Sequence, residues 1–463
     1  MDASSTPTFA PMNSEKQIAI LGAGLVGSLL AVILAKRGYN VAVFERRGDM
    51  RKEKVEAGRS INLALSERGW KGLRTAGLDE EIRRVAIPMK GRMIHAEDGT
   101  MNLQQYGKDT EAIWSVSRGG LNQELISLAE KNSGVGFHFY KKAESVDLES
   151  NRIFFEGEKE PQHFDLIFGA DGAFSALRKS FLRNDRFDYA QQYIGHGYKE
   201  LSIPAGKSGE HRLEKNALHI WPRGNFMLIA LPNIDGSFTC TLFFPFEGEV
   251  SFASIKNEND WMQFCTKYFP DAAALMPSLR EDYLRNPVSS LHTVKCFPWT
   301  HGGRNCLIGD AAHAIVPFFG QGMNAGFEDC TMLNELMDEY VVGDNTNNGD
   351  WKKILTHFEN SRKPNTDAIA DLALTNFIEM RDLVADAHFL KKKKIEKLVA
   401  AAYPAYLSLY AMVSFSHIPY AEALRRGRLQ NALLEKLAAL PDAELDVKAA
   451  WVAAAVAEIG FGV

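Results

Sequence analysis

Three glycines near the amino terminus have the spacing of a phosphate-binding turn. Gly22, Gly24 and Gly27 form the pattern G-x-G-x-x-G, and Glu45 ends the next apolar run. In such a turn the first glycine allows a tight bend, the second lets a pyrophosphate approach the backbone, and the third lets the helix pack on the strand. A carboxylate after the second strand binds ribose hydroxyls. The pattern predicts a dinucleotide site but leaves NAD(P) and FAD open, because both use this turn.

The elements around the turn fit this interpretation. Residues 17–21 predict a strand, residues 28–37 a helix that stops at Gly38, and residues 39–45 a second strand. Other apolar runs predict strands at 136–140, 145–148, 164–168 and 306–308, and a helix at 121–131. Aromatic and β-branched runs separated by turn residues predict an antiparallel sheet at 219–221, 226–232 and 237–245. From residue 350 onward the spacing is helical.

Composition bounds the protein class. The chain has 463 residues, 46% hydrophobic and 24% charged, which is typical of a globular protein of two or three domains. A net charge of -5 provides no global basic field, so nucleic acid is not an expected partner. The five cysteines are odd in number and include no C-x-x-C pair, which favours buried thiols over a zinc or iron–sulfur site.

Two segments bear on targeting. Residues 1–13 lack basic residues and an apolar core, so they resemble neither a secretory signal nor a transit peptide. Residues 398–421 contain no Asp, Glu, Lys or Arg and follow the lysine run 391–394, and their length would permit a membrane span. Two prolines, three serines, four tyrosines and one histidine in that window favour burial in protein instead. We expect no membrane span.

Two more motifs follow the glycine turn in order. The second runs from Gly169 through Asp171 and Gly172 to Arg178, and the third is Gly309-Asp310-Ala-Ala-His313, followed by Pro317. Together the three motifs resemble the single-component, FAD-dependent aromatic hydroxylases. The resemblance extends from about residue 16 to about residue 430 and is closest to the branch that acts on kynurenine; further similar segments are 58–66, 91–95, 106–107, 196–200, 218–222, 230–233 and 316–324.

The resemblance implies an α/β fold with three parts. A discontinuous Rossmann-like FAD-binding domain of the aromatic hydroxylase type would comprise 15–75, 104–180 and 290–345. An inserted substrate domain with an antiparallel sheet would comprise 76–103 and 181–289, and a C-terminal helical region 346–463.

The resemblance also implies the chemistry. FAD would be tightly bound and NADPH a transient co-substrate, and dioxygen would hydroxylate L-kynurenine to 3-hydroxy-L-kynurenine through a flavin hydroperoxide. This reaction belongs to tryptophan catabolism and NAD biosynthesis. No catalytic residue beyond the flavin is expected, because the amino group already enriches the ring and the sequence contains no convincing Ser/His/Asp or paired-carboxylate set. We therefore interpret His313 as structural.

Site residues carry over by position. The residues implied for FAD are Gly22, Gly24, Val26, Gly27, Glu45, Arg46, Ala64, Arg118, Asp171, Asp310, Met323 and Asn324. Those implied for the substrate are Arg92, Tyr106, Asn376 and Tyr410. An arginine with phenol hydroxyls suits an α-carboxylate in a dry pocket, although each type alone is more often a solvated arginine or a core tyrosine. Phe243, Phe318 and Phe319 fit apolar walls and plain core equally well.

Two other functions stay open. One is hydroxylation of another aromatic acid by a related flavin monooxygenase; the other is a non-catalytic flavin-binding or membrane-peripheral protein that uses the lysine run 391–394. Mitochondrial members of the branch carry a hydrophobic C-terminal anchor, whereas residues 431–463 here include seven charged residues, so a soluble, cytoplasmic, bacterial-type form is expected. The resemblance also admits a homodimer.

Overall fold

The computed structural model describes residues 16–53, 62–107, 110–340, 350–380 and 386–462. The N-terminal tail and residues 58–61 of the similar segment 58–66 lie outside the described residues. In chain order the described strands are β1 (Gln17–Leu21), β2 (Asn40–Phe44), β3 (Asn62–Leu65), β4 (Ile87–Met89), β5 (Gly91–His95), β6 (Met101–Gln105), β7 (Ile113–Ser117), β8 (Val135–His138), β9 (Ala143–Asp147), β10 (Arg152–Phe155), β11 (Gln162–His163), β12 (Leu166–Gly169), β13 (Asp188–Ile203), β14 (Ala217–Arg223), β15 (Phe226–Pro232), β16 (Phe238–Pro245), β17 (Ser289–Phe297), β18 (Thr300–His301) and β19 (Asn305–Leu307). The α-helices are α1 (Leu25–Lys36), α2 (Glu67–Ala76), α3 (Asp79–Arg83), α4 (Arg118–Glu130), α5 (Ala176–Phe181), α6 (Glu258–Tyr268), α7 (Pro270–Ala273), α8 (Leu279–Arg285), α9 (Asp310–His313), α10 (Gly322–Tyr340), α11 (Trp351–Ile378), α12 (Ala387–Ala402), α13 (Leu409–Ser414), α14 (Tyr420–Ala438) and α15 (Ala450–Ile459).

A mostly parallel sheet forms the first layer. Its strand order is β18-β19-β12-β1-β2-β8, and β1 pairs in parallel with both β2 and β12. Four of the five residues of β1 are buried, which explains why this strand reads as an uninterrupted apolar run. The predicted strand–turn–helix–strand unit is confirmed, except that α1 begins at Leu25. The helix starts earlier than predicted because Gly27 lies in its first turn and not in the loop before it.

A seven-stranded sheet forms the second layer, in the order β17-β13-β16-β15-β14-β5-β6. The three central strands β14, β15 and β16 pair antiparallel, as predicted. The pair β5 and β14 is parallel, which the sequence did not predict. Because β5 comes from a distant part of the chain, no hairpin fixes its direction relative to β14. One face of this sheet packs against α6, α7 and α8, and the other face turns toward a large cavity.

The C-terminal part is helical in the range that the structure describes, as predicted. The uncharged window 398–421 is not one helix: α12 ends at Ala402, the short α13 follows, and α14 begins directly after Pro419. Among the described helices, none is both long enough and apolar enough to cross a bilayer. All five cysteines are buried and free, which confirms their interpretation as thiols.

Candidate active site

One cavity of about 810 Å³ connects the predicted cofactor residues with part of the predicted substrate site. Its first end lies at the carboxyl ends of β1, β2 and β12, where parallel sheets usually bind nucleotides. Its second end lies between the seven-stranded sheet and α13. The cavity therefore has a polar end and a largely apolar end.

The three glycines of the turn have different surroundings. A Cβ on Gly22 (φ +100°) would lie 2.6 Å from the Ala170 carbonyl oxygen, and a Cβ on Gly27 would lie 2.1 Å from the Gly22 carbonyl oxygen. A Cβ on Gly24 would meet no protein atom within 4 Å, and Gly24 lines the cavity. Gly22 and Gly27 thus permit close packing, whereas Gly24 leaves open space beside the backbone where a pyrophosphate fits.

Glu45 lies at the end of β2 and lines the cavity. Its Oε2 accepts a hydrogen bond from the Ala23 backbone nitrogen (3.1 Å), and its Oε1 accepts from the backbone nitrogen and Nε of Arg47 (3.0 and 2.9 Å). These bonds fix the carboxylate against the glycine turn. A carboxylate has about four acceptor sites, so capacity remains for ribose hydroxyls.

Two arginines supply positive charge at this end. Arg46 and Arg118 are exposed, line the cavity, and form no ion pair with a described residue. Arg118 is the first residue of α4, whose Ser117 cap accepts a hydrogen bond from Gly120. Such side chains can neutralise phosphate oxygens.

The second motif lines the cavity and is hydrogen-bonded to the third motif. Asp171 lines the cavity, its Oδ2 accepts a hydrogen bond from the Ala176 backbone (2.6 Å), and burial raises the pKa of its carboxyl group. Arg178 donates to the Ala311 carbonyl (2.7 Å) and to the Ala173 carbonyl. The arginine of the second motif therefore holds the helix of the third motif in place.

The third motif presents Asp310 to the cavity and keeps His313 away from it. Asp310 is exposed and lines the cavity, whereas His313 is buried and its Nε2 lies 2.6 Å from Oδ2 of Asp329. Asp329 also accepts hydrogen bonds from the Gly309 backbone (3.0 Å) and from Nε of Arg362 (2.7 Å). Burial raises the pKa of Asp329, but the charges of His313 and Arg362 outweigh it and keep that pKa low. This geometry fits a structural role for His313.

Strand β3 and the first turn of α10 carry the remaining predicted cofactor residues. Met323 and Ala64 line the cavity, but the Asn324 side chain does not. Asn324 accepts a hydrogen bond from the Ser66 backbone (2.9 Å) and donates to the carbonyls of Ala64 and Gly320 (2.8 Å each). The side chain thus anchors the first turn of α10 to β3, and the backbone N–H groups of that turn remain for a ligand.

At the second end, Arg92 projects from β5 beside a stacked pair of tyrosines. Its guanidinium carbon lies 4.7 Å from the ring centroid of Tyr410 and 5.6 Å from that of Tyr106. The Nε of Arg92 is buried without a hydrogen-bond partner, and Arg92 forms no ion pair with a described residue. The Tyr106 hydroxyl is likewise buried and unpartnered, and burial raises the pKa of Tyr106 well above its ordinary value.

Two of the predicted substrate residues do not line the cavity. Tyr106 stacks behind Tyr410, with ring centroids 4.9 Å apart, and does not line the cavity. Asn376 donates to the Phe318 carbonyl (2.6 Å) and to Sδ of Met380 (3.2 Å), and it too lies outside the lining. Asn376 supports the turn that carries Phe318.

The cavity walls combine residues that the sequence analysis named with others that it did not. Phe243, Phe318 and Phe319, which it named, line the cavity. Further lining side chains from the second sheet are Leu218, Met227, Ile229, Leu231 and Thr241. The alternation of Met227, Ile229 and Leu231 along β15 was the available signal, but it does not tell a cavity face from a core face.

This donor set fits FAD. The unfilled space at Gly24 suits a pyrophosphate, Glu45 suits a ribose, and the exposed cations and the unpaired helix N–H groups suit anionic and polar atoms. The apolar second end could hold an aromatic ring beside an anion-binding arginine.

Comparison with known proteins agrees with this geometry. Residues 15–187 and 279–371 match the family described as FAD binding domain. The chain is 49% identical to kynurenine 3-monooxygenase of Christiangramia forsetii over 94% of this chain and 96% of that one. It is 50% identical to the Flavobacterium johnsoniae enzyme of that name over the same shares, and 48% identical to the Dictyostelium discoideum one over 91% and 93%. The chain belongs to the kynurenine 3-monooxygenase family.

Membership in this family confirms the resemblance stated from the motifs, the flavoprotein monooxygenase class and FAD as the cofactor. Solved structures agree on the fold. The 2-methyl-3-hydroxypyridine-5-carboxylic acid oxygenase has a TM-score of 0.64 at 19% identity and covers 81% of this chain and 95% of its own. PqsL of P. aeruginosa, solved with 2-aminobenzoylacetate, has a TM-score of 0.61 at 17% identity and covers 79% and 97%.

Proposed function

We propose that this chain hydroxylates L-kynurenine to 3-hydroxy-L-kynurenine with FAD, NADPH and dioxygen. The observation that carries the substrate assignment is Arg92, a half-buried cavity residue whose buried Nε has no hydrogen-bond partner and which has no carboxylate partner among the described residues. A charge that is held at a largely apolar cavity wall without a counter-ion is costly, so this guanidinium suits an anionic ligand. The α-carboxylate of kynurenine supplies it, and the apolar walls suit the aromatic ring.

Bound FAD would supply hydride acceptance from NADPH and activation of dioxygen. The chain's own residues position and shield the substrate. Arg92 binds the carboxylate, Tyr410 holds Arg92 in place, and Phe318 and Phe319 exclude water from the ring. We assign no general base, because the amino group already activates the ring carbons beside and opposite it.

For the cofactor we propose Gly24, Glu45, Arg46, Arg118, Asp171, Asp310 and Met323 as direct contacts. Gly22, Gly27 and Asn324 would act by shaping the turn and the loop, and Val26 and Ala64 would form apolar walls. Tyr106 and Asn376 would act by supporting Tyr410 and Phe318. The domain boundaries stated from the sequence remain part of this proposal.

The lysine run 391–394 no longer supports the membrane-peripheral alternative, because the structure pairs three of its charges with carboxylates. Lys391 pairs with Asp442 (3.1 Å), Lys392 with Glu435 (2.6 Å) and Lys393 with Glu396 (3.1 Å). Charges that are already paired attract anionic lipid weakly. Co-sedimentation with anionic vesicles tests this, and strong binding at physiological salt would revive the alternative.

Product analysis tests the proposed function directly. We would mix the purified flavoprotein with NADPH, air and L-kynurenine and identify the product by mass spectrometry and chromatography. A product with one added oxygen ortho to the amine, formed in step with NADPH loss, is expected. NADPH loss that yields only hydrogen peroxide would mean that the flavin hydroxylase acts on another aromatic acid.

A further inference from the structure

The floor of the cavity has a single polar side chain besides Arg92 among the described lining residues of β5, β14, β15 and β16. That side chain is Thr241, which is only 3% exposed and lines the cavity. Its hydroxyl makes no hydrogen bond to a described residue, although the oxygen is not sealed off from the cavity. Its neighbours on the floor are Ile229, which pairs with it across the strands, and Phe243.

Thr241 and Arg92 lie at opposite sides of this floor. Their strands, β16 and β5, are separated by β15 and β14. The strand register aligns Arg92 with Thr239, two residues before Thr241, so three inter-strand spacings combined with this offset amount to about 16 Å. An arginine side chain and one aromatic amino ketone, laid end to end across the strands, fill such a span. A substrate whose carboxylate is bound by Arg92 therefore points its ring toward Thr241.

We propose that the Thr241 hydroxyl accepts a hydrogen bond from the ring amino group of the substrate and so determines which ring carbon is hydroxylated. This inference rests on the proposed function. In kynurenine the amino group activates the carbon beside it and the carbon opposite it, and a half-turn of the ring about its bond to the ketone exchanges these two positions. A hydrogen bond to the amino group selects one of the two orientations.

The reaction is balanced in either orientation. One oxygen atom of dioxygen enters a ring C–H bond and the other leaves as water, while NADPH supplies two electrons as hydride and solvent supplies a proton. Only the position of the new hydroxyl differs. Thr241 is thus a positioning residue, and the product isomer is a readout that a purely structural role would not change.

Two variants of Thr241 test the proposal in the flavin-loaded enzyme. Thr241→Val keeps the shape and removes the hydroxyl, whereas Thr241→Ser keeps the hydroxyl. The valine variant should release the 5-hydroxy isomer together with the 3-hydroxy isomer, and the serine variant only the 3-hydroxy isomer. From flavin absorbance, the valine variant should bind kynurenine about fivefold more weakly, as expected for one neutral hydrogen bond. It should bind the analogue without a ring amino group as the wild type does.

Thr239→Val is the matched control, because it makes the same change on the same face of the same strand. The Thr239 hydroxyl accepts a hydrogen bond from Asn233 (3.1 Å) and donates to Asn62 (3.3 Å), and Thr239 does not line the cavity. We expect a lower melting temperature but only the 3-hydroxy isomer. Wild-type products and wild-type affinity in Thr241→Val would overturn the proposal. If the wild type itself forms no hydroxykynurenine, the proposed function fails.

Discussion

The guanidinium carbon of Arg92 lies 4.7 Å from the ring centroid of Tyr410, although the two residues come from distant parts of the chain. Arg92 is on β5 of the second sheet and Tyr410 is on α13 of the C-terminal helices. The cation–π contact holds the charged side chain at the cavity wall, where its Nε has no hydrogen-bond partner. The anion-binding end of the cavity is therefore complete only when the C-terminal helices pack on the sheet.

Arg92→Ala should raise the KM for kynurenine about 10- to 100-fold, because a charge-assisted hydrogen bond contributes about 1.5–3 kcal/mol. FAD content should stay at the wild-type level, since Arg92 lies at the other end of the cavity. Steady-state kinetics and flavin absorbance measure both. The control is Arg84→Ala, which removes an exposed arginine outside the cavity lining. Wild-type kinetics in Arg92→Ala would remove the substrate assignment.

Gly24→Ala and Gly27→Ala should separate cofactor binding from folding. A Cβ at position 24 meets no protein atom within 4 Å, so the apo-protein of Gly24→Ala should melt like the wild type while FAD binds at least tenfold more weakly. At position 27 a Cβ would lie 2.1 Å from the Gly22 carbonyl oxygen. That overlap should cost about 1–3 kcal/mol of folding free energy. Calorimetry of the apo-proteins and FAD titration distinguish the two. Equal FAD affinity in Gly24→Ala and the wild type would contradict the pyrophosphate assignment.

Local sequence patterns were enough to predict five strands of the first layer, β1, β2, β8, β12 and β19, but not the short β18. The buried run of β1, the glycine turn and Glu45 are close in sequence, so apolar spacing and motif chemistry define them together. The parallel pairing of β5 with β14 depends on a contact between distant segments, which no local pattern encodes. The same limit explains why the sequence did not reveal what the side chains of Asn324 and Asn376 contact.

Asn324 and Asn376 illustrate that limit. Motif position associates both with ligands, but the structure directs their donors to backbone carbonyls, Asn324 to Ala64 and Asn376 to Phe318. Thr241 is the opposite case. Threonine is common in strands, so nothing in the sequence distinguished the one whose hydroxyl lines the cavity.

Asp329→Asn should destabilise the fold by about 3 kcal/mol, because it removes the carboxylate that the buried His313 and Arg362 share and leaves Arg362 with Glu328 as its ion-pair partner. The pKa of Asp329 is lowered in the fold, so its stabilisation is present above the unfolded pKa of about 3.9 and is lost as the pH falls through the lower folded value. As the pH falls below about 4, the free energy of unfolding measured with urea should therefore decrease more for the wild type than for Asp329→Asn. Glu156→Gln, which removes an exposed ion pair with Lys142, is the control and should change stability little. Parallel pH profiles for wild type and Asp329→Asn would show that this carboxylate is not the titrating group.

The native protein should react slowly with thiol reagents despite its five cysteines. All five are buried, and burial raises the pKa of each thiol, that of Cys296 to about 12 and that of Cys306 well above its usual value. The reactive thiolate is therefore scarce at neutral pH, and reagent reaches the sulfur only after local or global opening. A chromogenic disulfide reagent should titrate fewer than one thiol in the native protein within minutes and five after denaturation.

Because Cys330 and Cys306 lie in the core beside the cofactor end, FAD should slow the labelling of these two thiols further. Peptide mapping with and without FAD would measure this effect. Rapid labelling of either in the native flavoprotein would contradict the closed packing of α10 and β19.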